Sequence, residues 1–294
     1  KGGLSVEGGK IVAVGADEVL EKGTSDIDVG GKYIFPGVID PHVHWGLGGQ
    51  TKEGFNAFEK FHSDFDTEGK DAAQGGVTTI VTTTLFGAGS QIEQVEQFKG
   101  MAEGRSWVNM RLTAGISNLE QVKEIPDLVQ KHGVHSFKFL TGYKGDQAVG
   151  FGAPYGGISW DILLEAFRVI ASQNALAMVH AEDPYIRDIT IPKARTSGRT
   201  DYLQAFHDYN PDMLEPMQIF PIGFITRETG AKTYVVHTSS ADGVEAIAYL
   251  QGLGINMICE TLVGMLYYTD KECDEKVARG IGEPAYYKVQ PPIR

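Results

Sequence analysis

Apolar and β-branched residues gather along most of the chain into short runs, at 34–39, 77–84, 108–113, 134–140, 175–180, 232–237 and 255–259. Between them, residues 91–104 and 117–131 carry apolar positions three and four apart, the spacing of one helix face. Pro126, inside the second stretch, is expected to start or kink a turn. Ser159 stands as an N-cap before Ile162-Leu163-Leu164 and Phe167. Asn210-Pro211 reads as a cap followed by proline at the first helical position. Ser240 starts a helix over Val244–Leu250 that Gly252 ends. Strands and helices alternating at this interval predict a parallel sheet with helices outside it. Seven such strands without a dinucleotide-type glycine fingerprint point to an α/β fold of the TIM (β/α)8-barrel type, one strand short of closure.

The first residues follow another rhythm. Leu4-Ser5-Val6, Lys10–Gly15 and Ile27-Asp28-Val29 are short and β-like, and glycine pairs separate them. They predict part of a small β-subdomain, a sandwich, over residues 1–32, unable to bury a core alone. Residues 33–294 then hold barrel strands one to seven. The chain has no initiator Met and opens on Lys1-Gly2-Gly3, which reads like the middle of a strand-turn, so its true start is expected to lie upstream.

Composition narrows the partners. Of the 294 residues, 26 are Lys or Arg and 38 are Asp or Glu, a net charge of −12. An acidic surface argues against nucleic acid or an anionic membrane as the main partner. No apolar run approaches the roughly 20 residues that cross a bilayer. Cys259 ends an apolar run and reads as a buried strand residue, whereas Cys273 lies among charges. Two such cysteines make no disulfide framework and fit a cytoplasmic setting.

The sharpest local feature is Asp40-Pro41-His42-Val43-His44. Residues two apart in a strand share a face, so His42 and His44 can hold one metal at the C-terminal mouth of a barrel. Taken alone, such a pair is more often two histidines in a loop. However, His180 ends the run 175–179, and His237 ends Tyr234-Val235-Val236. Four of the eight histidines thus fall at the ends of three strands. His62, His132, His135 and His207 receive no role. Lys138, flanked by apolar residues within Ser136–Leu140, is costly to keep charged, so its neutral amine is available to take up carbon dioxide as a carbamate. Such a group bridges two divalent ions; the alternative is a lysine reaching out of a strand end. Tyr143 is either a hydrogen-bond donor to a developing oxyanion or an aromatic rim residue.

These segments together resemble the amidohydrolase superfamily and, within it, the hydantoinase and dihydropyrimidinase group of cyclic amidohydrolases. The resemblance rests on 35–44, Gly75–Ile80, Phe137-Lys138-Phe139 with Tyr143-Lys144-Gly145, 179–182, 235–240 and 291–294, in the family's order. It implies that His42 and His44 bind one metal, that His180 and His237 bind the other, and that carboxylated Lys138 bridges them. Tyr143 matches a substrate-polarising tyrosine. Gln290 stands where a serine often contacts the ring amide through its backbone. The implied reaction is hydrolysis of a hydantoin or dihydropyrimidine ring by a hydroxide shared between two divalent ions, zinc foremost, in a homotetramer. An allantoinase- or imidase-like activity is the near alternative, and a non-catalytic dihydropyrimidinase-related scaffold the distant one. Three departures stand out. Gly46 replaces the Arg with which the dihydroorotase branch holds its substrate's carboxylate. Residues 146–158 look longer than usual and are expected to form an aromatic pocket wall. The family's eighth strand, with its metal-binding Asp, is expected to lie beyond residue 294.

Overall fold

Two glycines set the first turn. Gly8 and Gly9 have φ of 56° and 77°, the double positive φ that a two-residue hairpin loop needs. They join β1 (Gly3–Glu7) to the antiparallel β2 (Lys10–Gly15), with Glu7 opposite Lys10. The computed structural model describes residues 2–46, 50–51, 54–55, 57–84, 86–87, 89–150, 156–199 and 201–294. It divides into two compact units, Lys1–Val38 and Ile39–Arg294.

In the first unit Val6, Ile11, Val12 and Val14 are all exposed. The strand expected at Ile27–Val29 does not form. The Asp28 carboxylate instead accepts the Gly30 N–H at 2.8 Å and shapes a turn through Gly30 and Gly31. The next strand also differs from expectation. β3 spans Val38–Val43, not 34–39, because Pro36 lacks an N–H and restrains the residue before it.

After β3 come β4 (Gln50–Thr51) and β5 (Gly54–Phe55), a short antiparallel pair. The other strands are β6 (Val77–Thr83), β7 (Asn109–Gly115), β8 (Ser136–Leu140), β9 (Leu176–His180), β10 (Lys232–Val235) and β11 (Met257–Cys259). Together with β3 they form one seven-stranded sheet ordered β11-β10-β9-β8-β7-β6-β3. From β6 to β11 every neighbouring pair is parallel. The fold is therefore α/β with a curled parallel sheet.

Helices α1 (Ala57–Asp66), α2 (Glu68–Gln74), α3 (Gln91–Ala102), α4 (Leu119–Gln130), α5 (Gly145–Gly150) and α6 (Trp160–Ser172) occupy the first half. They are followed by α7 (Arg187–Thr196), α8 (Tyr202–Tyr209), α9 (Leu214–Thr229), α10 (Ala241–Gly252), α11 (Val263–Tyr267), α12 (Asp270–Ala278) and α13 (Pro284–Tyr287). Among the described residues no helix is long and apolar enough to cross a membrane. Helices α3, α4, α6, α9 and α10 pack in succession. In α6, Leu163, Ala166, Phe167 and Ile170 make one fully buried face; burying a side chain such as Leu or Phe contributes about 1.5–3 kcal/mol.

Three local expectations are corrected. Pro126 lies inside α4 without ending it. The buried Val122, Ile125 and Leu128 hold the helix through the proline, offsetting a penalty of about 3 kcal/mol. Asn210 does not cap α9. It closes α8, where its N–H reaches the carbonyls of Phe206 and His207, and α9 begins after Met213. The cysteines exchange roles: Cys259 is exposed and Cys273 buried. Cys259 lies on the edge strand β11, whose Met257 alone is buried. Cys273 is on the face of α12 that packs against Leu203 and Ile293.

Candidate metal centre at the strand ends

His42 lies within β3, His44 just past it, Lys138 in the middle of β8 and His180 at the last position of β9. His237 was expected to end its strand, but β10 stops at Val235. His237 leaves the extended conformation with φ of 39°, a region costly for a residue with a side chain. All five side chains nonetheless meet. The Nε2 atoms of His42 and His44 are 3.0 Å apart, and Lys138 Nζ is 2.8 Å from His42 Nε2. His180 Nδ1 is 3.0 Å from His237 Nε2. The rings of His42 and His237, centred 5.4 Å apart, join the two pairs.

Each orientation has a cause. Trp45 is buried against Phe65, its backbone N–H donated to Thr82 Oγ1 at 3.1 Å, which fixes the chain after His44. His42 Nδ1 lies 2.5 Å from Glu260 Oε1. His180 Nε2 is 2.7 Å from Glu182 Oε2, which also accepts from Arg187 Nη2 and Gln290 Nε2, each at 2.6 Å. Arg187 donates its other arm to the Gly142 carbonyl at 2.6 Å. Beyond His237, Glu215 accepts the backbone and hydroxyl hydrogens of both Ser239 and Ser240. Gly142 must be glycine: a Cβ there would stand 2.6 Å from His180 Cδ2.

Burial decides the charge states. It holds His44 and His237 well below the ordinary imidazole value, and the neighbouring cationic groups act in the same direction. Lys138, with no exposure at all, is likewise held well below the ordinary ammonium value. At Glu182 burial pushes the carboxyl up, but Arg187 and then His180 outweigh it and leave it at about 2. The Tyr143 hydroxyl is raised by burial and by the Glu182 charge, and so keeps its proton.

The donor chemistry fits divalent ions. Buried, neutral imidazoles are in the state that ligation requires. The Nδ1 atoms of His44 and His237 are buried with no hydrogen-bond partner. Two nitrogens on one tetrahedral ion stand about 3.3 Å apart, so each pair needs to open by only a few tenths of an ångström. Among the described residues no three His, Cys, Asp or Glu side chains make a metal-holding group by themselves. The histidines come in twos, and a group on Lys138 is what could serve as a third donor to each.

Tyr143 lies over His180, ring centres 4.8 Å apart, with the Arg187 guanidinium 5.6 Å from the tyrosine ring. Gln290 reaches this cluster through its side chain. Of the expected pocket wall, residues 151–155 lie outside the described residues, and 145–150 form α5. The carboxylates Glu260 and Glu215, with Arg187 and Arg294, went unnoticed in the sequence. Glu260 follows the apolar run of β11 just as the histidines follow theirs, so the same strand-end pattern marks it.

No protein-family model matches the chain. A D-hydantoinase of Geobacillus stearothermophilus is 30% identical over 299 residues, covering 99% of this chain and 58% of its own. An allantoinase of Bacillus licheniformis is 29% identical over 294 residues, covering 99% of this chain and 60% of its own. A D-hydantoinase crystal structure superposes with a TM-score of 0.82 at 28% identity, over 100% of this chain and 60% of that one. A dihydropyrimidinase from Brevibacillus agri NCHU1002 gives 0.82 at 27%, with the same coverage. The chain thus spans about three-fifths of the length of the curated relatives it matches.

Proposed function

We propose that the chain, which is similar to hydantoinases and allantoinases over nearly its whole length, is a hydantoinase-type amidohydrolase and carries most of an active site that opens a cyclic amide or ureide ring. The observation behind this is the convergence of four imidazoles on a lysine with no exposure. His42 and His44 would hold one divalent ion, His180 and His237 a second, and Lys138, carboxylated by carbon dioxide, would bridge them. When bound, the ions supply a nucleophile at neutral pH and polarise the carbonyl under attack. Zinc is the first metal to test, since imidazole and carboxylate-like oxygen suit it.

The chain's own groups have distinct tasks in this reading. Burial keeps the Lys138 amine neutral and able to form the carbamate. Tyr143 holds its proton at Oη and donates to the oxyanion of the ring carbonyl. Glu182 and Arg187 fix the His180 ring, so that Nδ1 faces inward. Gln290 is tied to Glu182 by its side chain, which leaves its backbone as the group assigned to the ring amide. Trp45 and Gly46 offer no cation to a substrate carboxylate, which favours an uncharged ring. The proposal extends to an eight-stranded barrel with a β-sandwich subdomain, and to a cytoplasmic homotetramer whose eighth strand supplies a proton-shuttling carboxylate.

The test is ring opening by the full natural polypeptide of dihydrouracil, substituted hydantoins and allantoin, with mass spectrometry of the Lys138 peptide under native conditions. Hydrolysis of one of these rings, together with a carbamate mass on Lys138, is expected. A protein that binds no metal and leaves Lys138 unmodified would overturn the proposal.

A further inference from the structure

β3 and β11 are the two edges of the seven-stranded sheet, and no backbone ladder joins them among the described residues. One side-chain contact does. Glu260, the residue after β11, places Oε1 2.5 Å from His42 Nδ1 on β3, across 218 residues of sequence. The same Oε1 accepts the His237 N–H at 3.2 Å, and Oε2 accepts the Tyr234 hydroxyl at 2.7 Å. The Glu260 backbone joins in: its carbonyl accepts the Thr238 N–H at 2.7 Å, and its N–H donates to the Val235 carbonyl at 3.0 Å.

We propose that Glu260 is a positioning residue that aims His42 and His237 at the site from the open side of the sheet. A carboxylate facing Nδ1 makes that nitrogen the protonated one, so the lone pair of Nε2 points at Lys138 and His44. The bond to the His237 N–H supports the one non-glycine residue at the site with a left-handed φ, which persists only where its surroundings fix it. A single carboxylate thereby sets one member of each histidine pair. This inference rests on the metal-centre reading of those pairs.

The test uses the full natural polypeptide loaded with cobalt(II), read by its visible absorption bands and by the rate of metal release to a chelator. Glu260→Ala is expected to release metal about 10- to 100-fold faster and to shift the cobalt bands, with far-UV circular dichroism unchanged. Glu260→Gln keeps an oxygen acceptor for Nδ1–H and is expected to restore most of the retention. Should the alanine variant not fold, Glu260→Asp keeps the charge but shortens the reach, and severalfold faster release is expected. Nitrogen-15 NMR of the metal-free wild type is expected to find His42 protonated at Nδ1. Wild-type release kinetics and bands in Glu260→Ala, or His42 protonated at Nε2, would sink this role while leaving the metal centre standing. A wild type that takes up no cobalt would overturn both readings.

Discussion

His42 and His44 lie two residues apart on one strand and its exit, and their facing nitrogens are 3.0 Å apart. His180 and His237 lie 57 residues apart on two strand exits, and their facing nitrogens are also 3.0 Å apart. The first pair receives its spacing from the pleat of β3, and what remains to be set is ring rotation, for which one partly exposed carboxylate, Glu260, suffices. The second pair has no shared strand to space it. His180 is held by Glu182, which has no exposure and is itself held by Arg187 and Gln290. His237 is held by its constrained backbone, whose N–H the Glu260 carboxylate accepts, and by the Glu215 clamp beyond it. On the proposed metal-centre reading, disturbing the first pair is expected to change mainly metal affinity. Disturbing the second pair, which rests on buried charges, is expected to change metal affinity and the stability of the fold together.

Removing what both pairs share erases the difference. Lys138→Ala should lower ring opening by about 10²- to 10³-fold or more and reduce metal content at both pairs alike, by kinetics and elemental analysis. Breaking the support of the second pair should separate the two. Arg187→Met strands the Glu182 charge in the interior and should cost about 3–5 kcal/mol in urea unfolding, whereas Glu260→Gln should shift the unfolding midpoint far less. A subtler intrusion at the same place is Gly142→Ala, whose new Cβ meets the His180 ring. A loss of about 1–3 kcal/mol is expected, with weakened metal retention at the His180 and His237 pair but not at the other. Equal weakening of both would contradict the separation drawn here.

The smallest effect concerns Glu215. Burial raises its carboxyl above the ordinary glutamate value of 4.5, although the Ser240 and Ser239 hydrogen bonds pull it down. The folded state thus holds this proton more tightly than the unfolded chain does. Stability from this group is fully present below about 4.5 and fades as pH climbs through the raised folded value. The stability of wild type relative to Glu215→Gln should therefore fall with rising pH in that window. A difference that grows with pH would reverse the sign.

The positions of the ligand-type residues were legible because they sit at ends of apolar runs, and a parallel sheet gathers those ends on one face. His42, His44 and His180 meet on that principle, whereas Lys138, in the middle of β8, was legible as a lysine flanked by apolar residues inside a strand. His237 shows its limit: the run predicted a strand reaching the histidine, yet the strand stops two residues earlier, and the His237 N–H bonds to the Glu260 carboxylate at the end of the next strand. Arg187 was hidden for a related reason, whereas Glu260 shares the strand-end pattern of the histidines. A guanidinium looks solvated in any sequence, and only tertiary packing reveals that this one is buried against Glu182. The exchanged cysteines teach the same lesson, because burial on an edge strand or a peripheral helix depends on what packs there and not on flanking hydropathy.

The link from Glu260 to His42 also sets an order of events in time. A ribosome adds about 5–20 residues per second, so the 218 residues between them take about 10–40 s to emerge. Gln290, which steadies Glu182 from 108 residues further along, emerges later than Glu260. Throughout that interval the histidines at β3 wait without the carboxylate proposed to aim them, and Lys138, 96 residues after His42, joins them partway through. On the growing chain the histidines come first and their aim comes last.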